Sequence, residues 1–234
     1  MEVQVCLEVG SRATGAFVPA CPGCWVFGRS KESALDKARV AVSEWYDWLT
    51  GHGEPIEVPS VIQVRPEEIL HVNYDPAEAG KPEPLFWLEV LPVSVKDIRG
   101  TLRLMKYSRE DLLELCSGLD KRTFNWKPKG EPRTIGNSLK HIAIAEWWYI
   151  TRLDIGLPKA FPSDIFQLLE YTRELATGSL MKLSKEERTR VFQPKNDPSP
   201  ICNLWTARKV LRRLVDHERL HTRYIRRVLQ TYRP

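Results

Sequence analysis

The chain has 234 residues, enough for one large domain or two small ones. With 42% hydrophobic and 28% charged residues it can bury a full core, which excludes a disordered chain. Its longest apolar runs, such as residues 85–95, are far shorter than the roughly 20 residues of a membrane-spanning helix, so no membrane role is expected. The formal charge of +5 is unevenly placed: across residues 206–234, nine Lys or Arg stand against Asp216 and Glu218. Such a stripe can attract phosphate or an acidic ligand, but more often it is the solvated face of a terminal helix. The five cysteines are an odd number, and no basic-then-apolar leader precedes Val3. Reduced thiols and a cytoplasmic location are therefore the expectation.

The first half carries strand patterns and one helix. Val3, Val5, Leu7 and Val9 alternate with polar neighbours, as a half-buried strand requires. Residues 16–19 fit a second strand after Gly15. Residues 25–27 fit a third, entered through a Pro22-Gly23 turn. Ser30 is a good N-cap for a helix in which Ala34, Ala38, Ala41, Val42, Trp45 and Leu49 recur at helical spacing, ending at Gly51 or Gly53. One more short strand is predicted at 58–64. Residues 75–84, with three prolines and a glycine, form a loop or linker. Residues 85–93 fit either a strand closing the first domain or the lead-in to the second.

Beyond this point the period becomes helical. The first predicted helix covers 95–119, with apolar positions at Ile98, Leu102, Met105, Leu112, Leu113 and Leu115. A loop at 125–132 precedes a second helix opened by Thr134 and running to about Ile155. A third spans 163–183, and a fourth runs from Trp205 to about Thr231 after a polar, proline-bearing stretch at 193–200. The predicted architecture is an α+β N-terminal domain over 1–75, a small antiparallel sheet with one helix. A linker or closing strand over 76–94 follows, then an all-α four-helix bundle over 95–234.

The histidines mark the candidate site. His217 and His221 are four apart, so they project from one helix face on adjacent turns. That face is the apolar one, shared with Val210, Leu214, Tyr224, Ile225 and Val228, while Arg212, Arg213, Arg219, Arg223, Arg226 and Arg227 lie mostly elsewhere. Buried imidazoles need partners for their nitrogens, and one divalent cation can serve two of them. His141, beside Ile142 and Ala145, can face inward too. Three neutral imidazoles describe a coordination sphere with a position left open, suited to zinc, nickel, iron or cobalt. A single histidine on an apolar face is more often a hydrogen-bonded core residue; the pair brings the two readings about level. His52 and His71 are assigned no role. The run from His217 to His221 also reads His-Glu-x-x-His, the helix of a metalloprotease with Glu218 as general base. A terminal helix in a compact bundle is a poor setting for that reading.

The segment RTIGNSLKHIAIAEWWYITRL, followed later by ARKVLRRLVDHERLHTRYIRRVL, resembles the DinB-like superfamily of four-helix bundles. The family pattern of one histidine on the second helix and a His-x-x-x-His pair on a later one falls on His141, His217 and His221, with Trp147, Trp148 and Tyr149 as the aromatic flank. The resemblance implies a divalent metal on these three residues, and some members are transferases or isomerases acting with low-molecular-weight thiols. The stretch PGCWVFGRSKESALDKARVAVSEWYDWLTGHGEPI looks like the HicB-type antitoxin fold, a small sheet with one helix. Cys24 falls in that family's turn, so for Cys21-Pro22-Gly23-Cys24 a structural reading is preferred to a redox or zinc pair.

Two function classes follow. One is a metal-dependent transferase or hydrolase acting on a small-molecule substrate, with Glu218 or Glu146 either supporting the ligands from behind or transferring protons. The other is a non-catalytic metal-binding protein whose sheet domain contacts a partner. Nucleic-acid binding is not expected, and a homodimer is a candidate assembly.

Overall fold

The computed structural model describes residues 1–78, 84–193 and 204–232. They fall into two compact units, residues 1–78, 84–91 and 204 in the first and residues 92–193 with 205–232 in the second.

In the first unit, β1 (Glu2–Val9) buries Val3, Val5 and Leu7, as its alternation predicts, and Cys6 and Glu8 as well. It is an inner strand of a four-stranded sheet of order β3-β2-β1-β4, with β2 at Thr14–Phe17, β3 at Trp25–Gly28 and β4 at Gln63–His71. The β1–β2 and β2–β3 pairings are antiparallel, but β1 and β4 run parallel. The sheet is thus mixed, which corrects the antiparallel expectation. The reason is the crossover: β4 returns after the helix α1 (Lys31–Gly51), and such a connection delivers a strand in the same direction. The fourth strand also lies later than the predicted 58–64. Arg65, Pro66 and Glu67 hide its pattern, and Pro66 is tolerated on an edge strand where the register with β1 shifts.

The Cys21–Cys24 stretch is a β-turn. The Cys24 amide donates to the Cys21 carbonyl at 3.0 Å, and Gly23 takes φ 99°, the positive angle a type II turn demands at its third residue. Helix α1 begins at Ser30, whose hydroxyl accepts from the Ser33 amide at 3.2 Å. Its Ala34, Ala38, Ala41 and Val42 pack on the sheet. The approach is close enough that a side chain at Gly28 would meet the Ala34 amide nitrogen. Trp87–Val90 forms a 3-10 turn, and Phe86 before it packs on Phe17 at 5.4 Å. Part of the predicted 75–84 loop and most of the 193–200 stretch lie outside the described residues.

The second unit is helical: α2 (Val95–Cys116), α3 (Lys121–Asn125), α4 (Ile135–Thr151), α5 (Ile165–Met181) and α6 (Ala207–Thr231). Side chains cap the long helices: Ser94 for α2, Thr134 for α4, Asp164 for α5 and Thr206 for α6. Such caps satisfy amide donors that the first turn leaves without partners. The short α3 falls between the predicted helix end at 119 and the predicted loop from 125, where no element is expected. The four long helices share a core of Leu112, Ile135, Leu139, Leu169, Ile225 and Val228. Leu113, placed on the apolar stripe of α2 by its spacing, is exposed; Thr101, Ser108 and Arg109 are buried instead. Ahead of α6, Phe192 and Trp205 exchange backbone hydrogen bonds at 2.7 and 2.9 Å, fixing where that helix starts. Among the described residues, no helix is long and apolar enough to cross a membrane.

Candidate metal centre

Helix α4 carries His141 between the buried Leu139 and Ile142, and α6 carries His217 and His221 one turn apart. The three rings meet. His217 Nε2 lies 3.1 Å from His141 Nε2 and 3.2 Å from His221 Nε2, with ring centroids 4.4–4.9 Å apart. One ligand nitrogen from each residue falls within 4.8 Å of the others. His217 is buried, and His141 and His221 are partly exposed.

The donor set fits a divalent cation. Nitrogens about 2.0–2.1 Å from a tetrahedral metal stand about 3.3 Å apart, close to the two spacings found at His217. Hydrogen bonding accounts for it less well. A neutral imidazole nitrogen offers one proton or one lone pair, never both. His217 Nε2 faces two other Nε2 atoms, so it makes at most one full hydrogen bond and shares the other contact, whereas a cation would engage all three lone pairs.

The electrostatics keep the rings unprotonated. Burial, then the Arg133 charge, lowers the His141 pKa to about 4. Burial, then His141, Arg133 and Arg213, takes His221 to about 3. Burial, then His221 and Arg213, holds His217 well below its ordinary value. Neutral imidazole is the form that binds metal. The same two arginines make the surroundings positive. That opposes a cation and favours an anion beside it. Arg213 donates to the Tyr149 hydroxyl at 2.7 Å, and the Tyr149 ring stands edge-on to His217 at 5.7 Å.

Several sequence expectations are revised here. Glu146 and Glu218 are both buried, and each pairs with Arg109 and Arg173, so all four carboxylate oxygens are engaged by guanidiniums, which speaks for support of the helices over proton transfer. Burial alone would raise the Glu218 pKa, but the charges and hydrogen bonds of Arg109 and Arg173 outweigh it and the net shift is downward. The basic stripe of α6 is not one solvated face: Arg212 is buried and pairs with Asp216 at 2.9 Å, Arg213 is buried too, and exposure returns only at Arg226 and Arg227. Arg109 and Arg173 were missed, although each sits at helical spacing among apolar residues, where a charge signals a buried partner. The Cys21 thiol is pushed up to about 12 by burial, and Cys24 donates to the Ala41 carbonyl at 3.2 Å, so this pair is packing rather than a metal or redox site. His52 caps the end of α1 and His71 lies on β4.

The family model of the DinB superfamily matches residues 104–225, just over half of the chain. Neither a comparison with curated proteins nor one with solved structures gave a match. The matched stretch runs from within α2 to within α6 and contains all three histidines, and the chain belongs to the DinB superfamily.

Proposed function

We propose that His141, His217 and His221 hold one divalent cation, zinc, nickel, iron or cobalt, with a further coordination position open, in a four-helix bundle of the DinB type. The convergence of three neutral imidazole nitrogens from α4 and α6 carries this reading. We take the centre to serve a metal-dependent transferase or hydrolase reaction on a small molecule. A bound dication would supply Lewis acidity, ionising a thiol or water at neutral pH. The chain's own contribution is electrostatic and steric. Arg133 and Arg213 favour an anion at that position, Tyr149 is held against His217, and partial exposure of His141 and His221 leaves an approach from solvent. The engagement of Glu218 by two guanidiniums argues against a metalloprotease-type base.

A non-catalytic metal-binding protein is the second reading. The first unit favours it, since a small sheet with one helix is what the HicB-type likeness implies, and such a unit could serve a partner.

Metal content of the purified protein tests the site. The parent should carry one ion per chain, His217→Ala and His221→Ala should lose most of it, and His52→Ala should match the parent. Full retention in both α6 variants would mean the histidines are ordinary core residues. A cobalt-loaded sample titrated with a small thiol then separates the two readings: a new thiolate-to-metal absorption band supports the enzyme, and an unchanged spectrum supports the binder.

A further inference from the structure

Four charged side chains meet inside the second unit, one from each long helix: Arg109 of α2, Glu146 of α4, Arg173 of α5 and Glu218 of α6. Arg109 donates through Nε to Glu218 Oε1 at 2.7 Å and through Nη2 to Glu146 Oε2 at 2.9 Å. Arg173 donates to the remaining oxygen of each carboxylate. The result is a closed, neutral ring in which every carboxylate oxygen is used. Each guanidinium has one more bond. Arg109 Nη1 reaches the Leu169 carbonyl, one turn before Arg173, at 2.6 Å, and Arg173 Nη1 reaches the Met105 carbonyl, one turn before Arg109. Helices α2 and α5 thus exchange the same pair of contacts. The Arg173 pKa is raised despite its burial, through the charges of Glu146 and Glu218.

Such a ring adds little net stability, because the cost of desolvating four charges offsets most of their attraction. What it supplies is selection. Planar guanidinium forks accept few geometries. A slip of one turn, about 5.4 Å, would break the bonds and strand buried charges. The apolar stripes discriminate less, since Ile98, Met105 and Leu112 on α2 repeat and could seat another register. The ring and the histidines share helices. Glu218 directly follows His217, and Glu146 lies five residues after His141. The contacts that fix α4 against α6 therefore also set the 3.1 Å approach of His141 to His217.

We infer that Arg109, Glu146, Arg173 and Glu218 are positioning residues, which select the one helix register in which His141 meets His217 and His221. The functional meaning of this inference rests on the metal reading above. The test replaces the ring by apolar groups of similar size: Arg109→Met, Glu146→Leu, Arg173→Met and Glu218→Leu together. Helix content and melting temperature should be no lower than in the parent. Affinity for cobalt(II) should fall by about ten- to a hundredfold, its visible spectrum should change, and the proton–proton NOE between the rings of His141 and His217 should vanish. Parent-like cobalt affinity, spectrum and NOE would overturn the inference, as would a lower melting temperature with the NOE intact. Should the fourfold variant not fold, Glu218→Gln keeps shape and breaks neutrality; it should weaken cobalt binding and alter the spectrum, and a parent-like result overturns the inference. Should the parent itself take up no cobalt, the metal reading fails, and the NOE comparison alone judges the ring.

Discussion

The two units bury different kinds of groups. In the first, Val5, Leu7, Ala34, Ala38 and Val42 join sheet to helix, and two carboxylates are buried beside them: Glu8 accepts from the Tyr74 hydroxyl at 2.6 Å, and Glu89 from the Phe86 amide at 3.0 Å. In the second, a comparable apolar core surrounds two ion-paired arginines, two carboxylates and a cluster of imidazoles. Burial of hydrocarbon accounts for most of the first interior. It does not account for the second, where each charged group loses hydration on folding and is kept only because another group answers it. The second interior thus gathers, from four helices, charges and imidazoles that hydrocarbon burial alone does not explain.

That contrast can be broken by substitution. The largest effect is expected in the ring: Arg173→Ala leaves two buried carboxylates facing Arg109 alone and should cost about 3–5 kcal/mol in a urea titration. Val42→Ala in the first unit removes two buried methyl-sized groups and should cost about 2 kcal/mol. Equal costs for the two variants would remove the distinction between the interiors. Arg173→Lys sharpens it, because the charge survives and only the fork is lost.

Local patterns were legible in the sequence, and long-range answers were not. Ser30, Thr134 and the period-two run from Val3 to Val9 announced their elements, because capping and alternation depend on neighbours in the chain. His217 and His221 were legible for the same reason: four residues on one helix fix a shared face. The parallel pairing of β1 with β4 depends on a crossover, and β4 was obscured by Pro66 and its charged neighbours. The burial of Arg212 and Arg213 depends on packing around α6 that helical periodicity alone does not encode. Arg109 and Arg173 fall between these cases. Their positions among apolar residues signalled burial, but that they would share Glu146 and Glu218 follows only from four helices meeting.

The smallest expected effect lies at an exposed helix end, where the same chemistry meets water. Asp97, in the first turn of α2, accepts from the Ser94 amide and hydroxyl, each at 2.9 Å, and its own amide donates to the Ser94 oxygen at 3.1 Å. Arg208 approaches at 3.4 Å. Partial burial pushes the Asp97 pKa upward, but the Ser94 hydrogen bonds and the Arg208 charge prevail and lower it from 3.8. A carboxyl whose folded pKa is depressed stabilises the protein above its unfolded value, and that contribution fades as pH falls through the folded value. Asp97→Asn keeps the shape and removes the charge. The parent should therefore be more stable than this variant at neutral pH, by at most about 1 kcal/mol, the range for an exposed carboxylate at a helix start. The difference should shrink below about pH 4 and close once Asp97 is protonated in the folded state. Urea midpoints of the two proteins measured from pH 7 down to the acid limit of folding provide the check. A gap that stays constant on acidification would show that the Ser94–Asp97 pair does not depend on the charge.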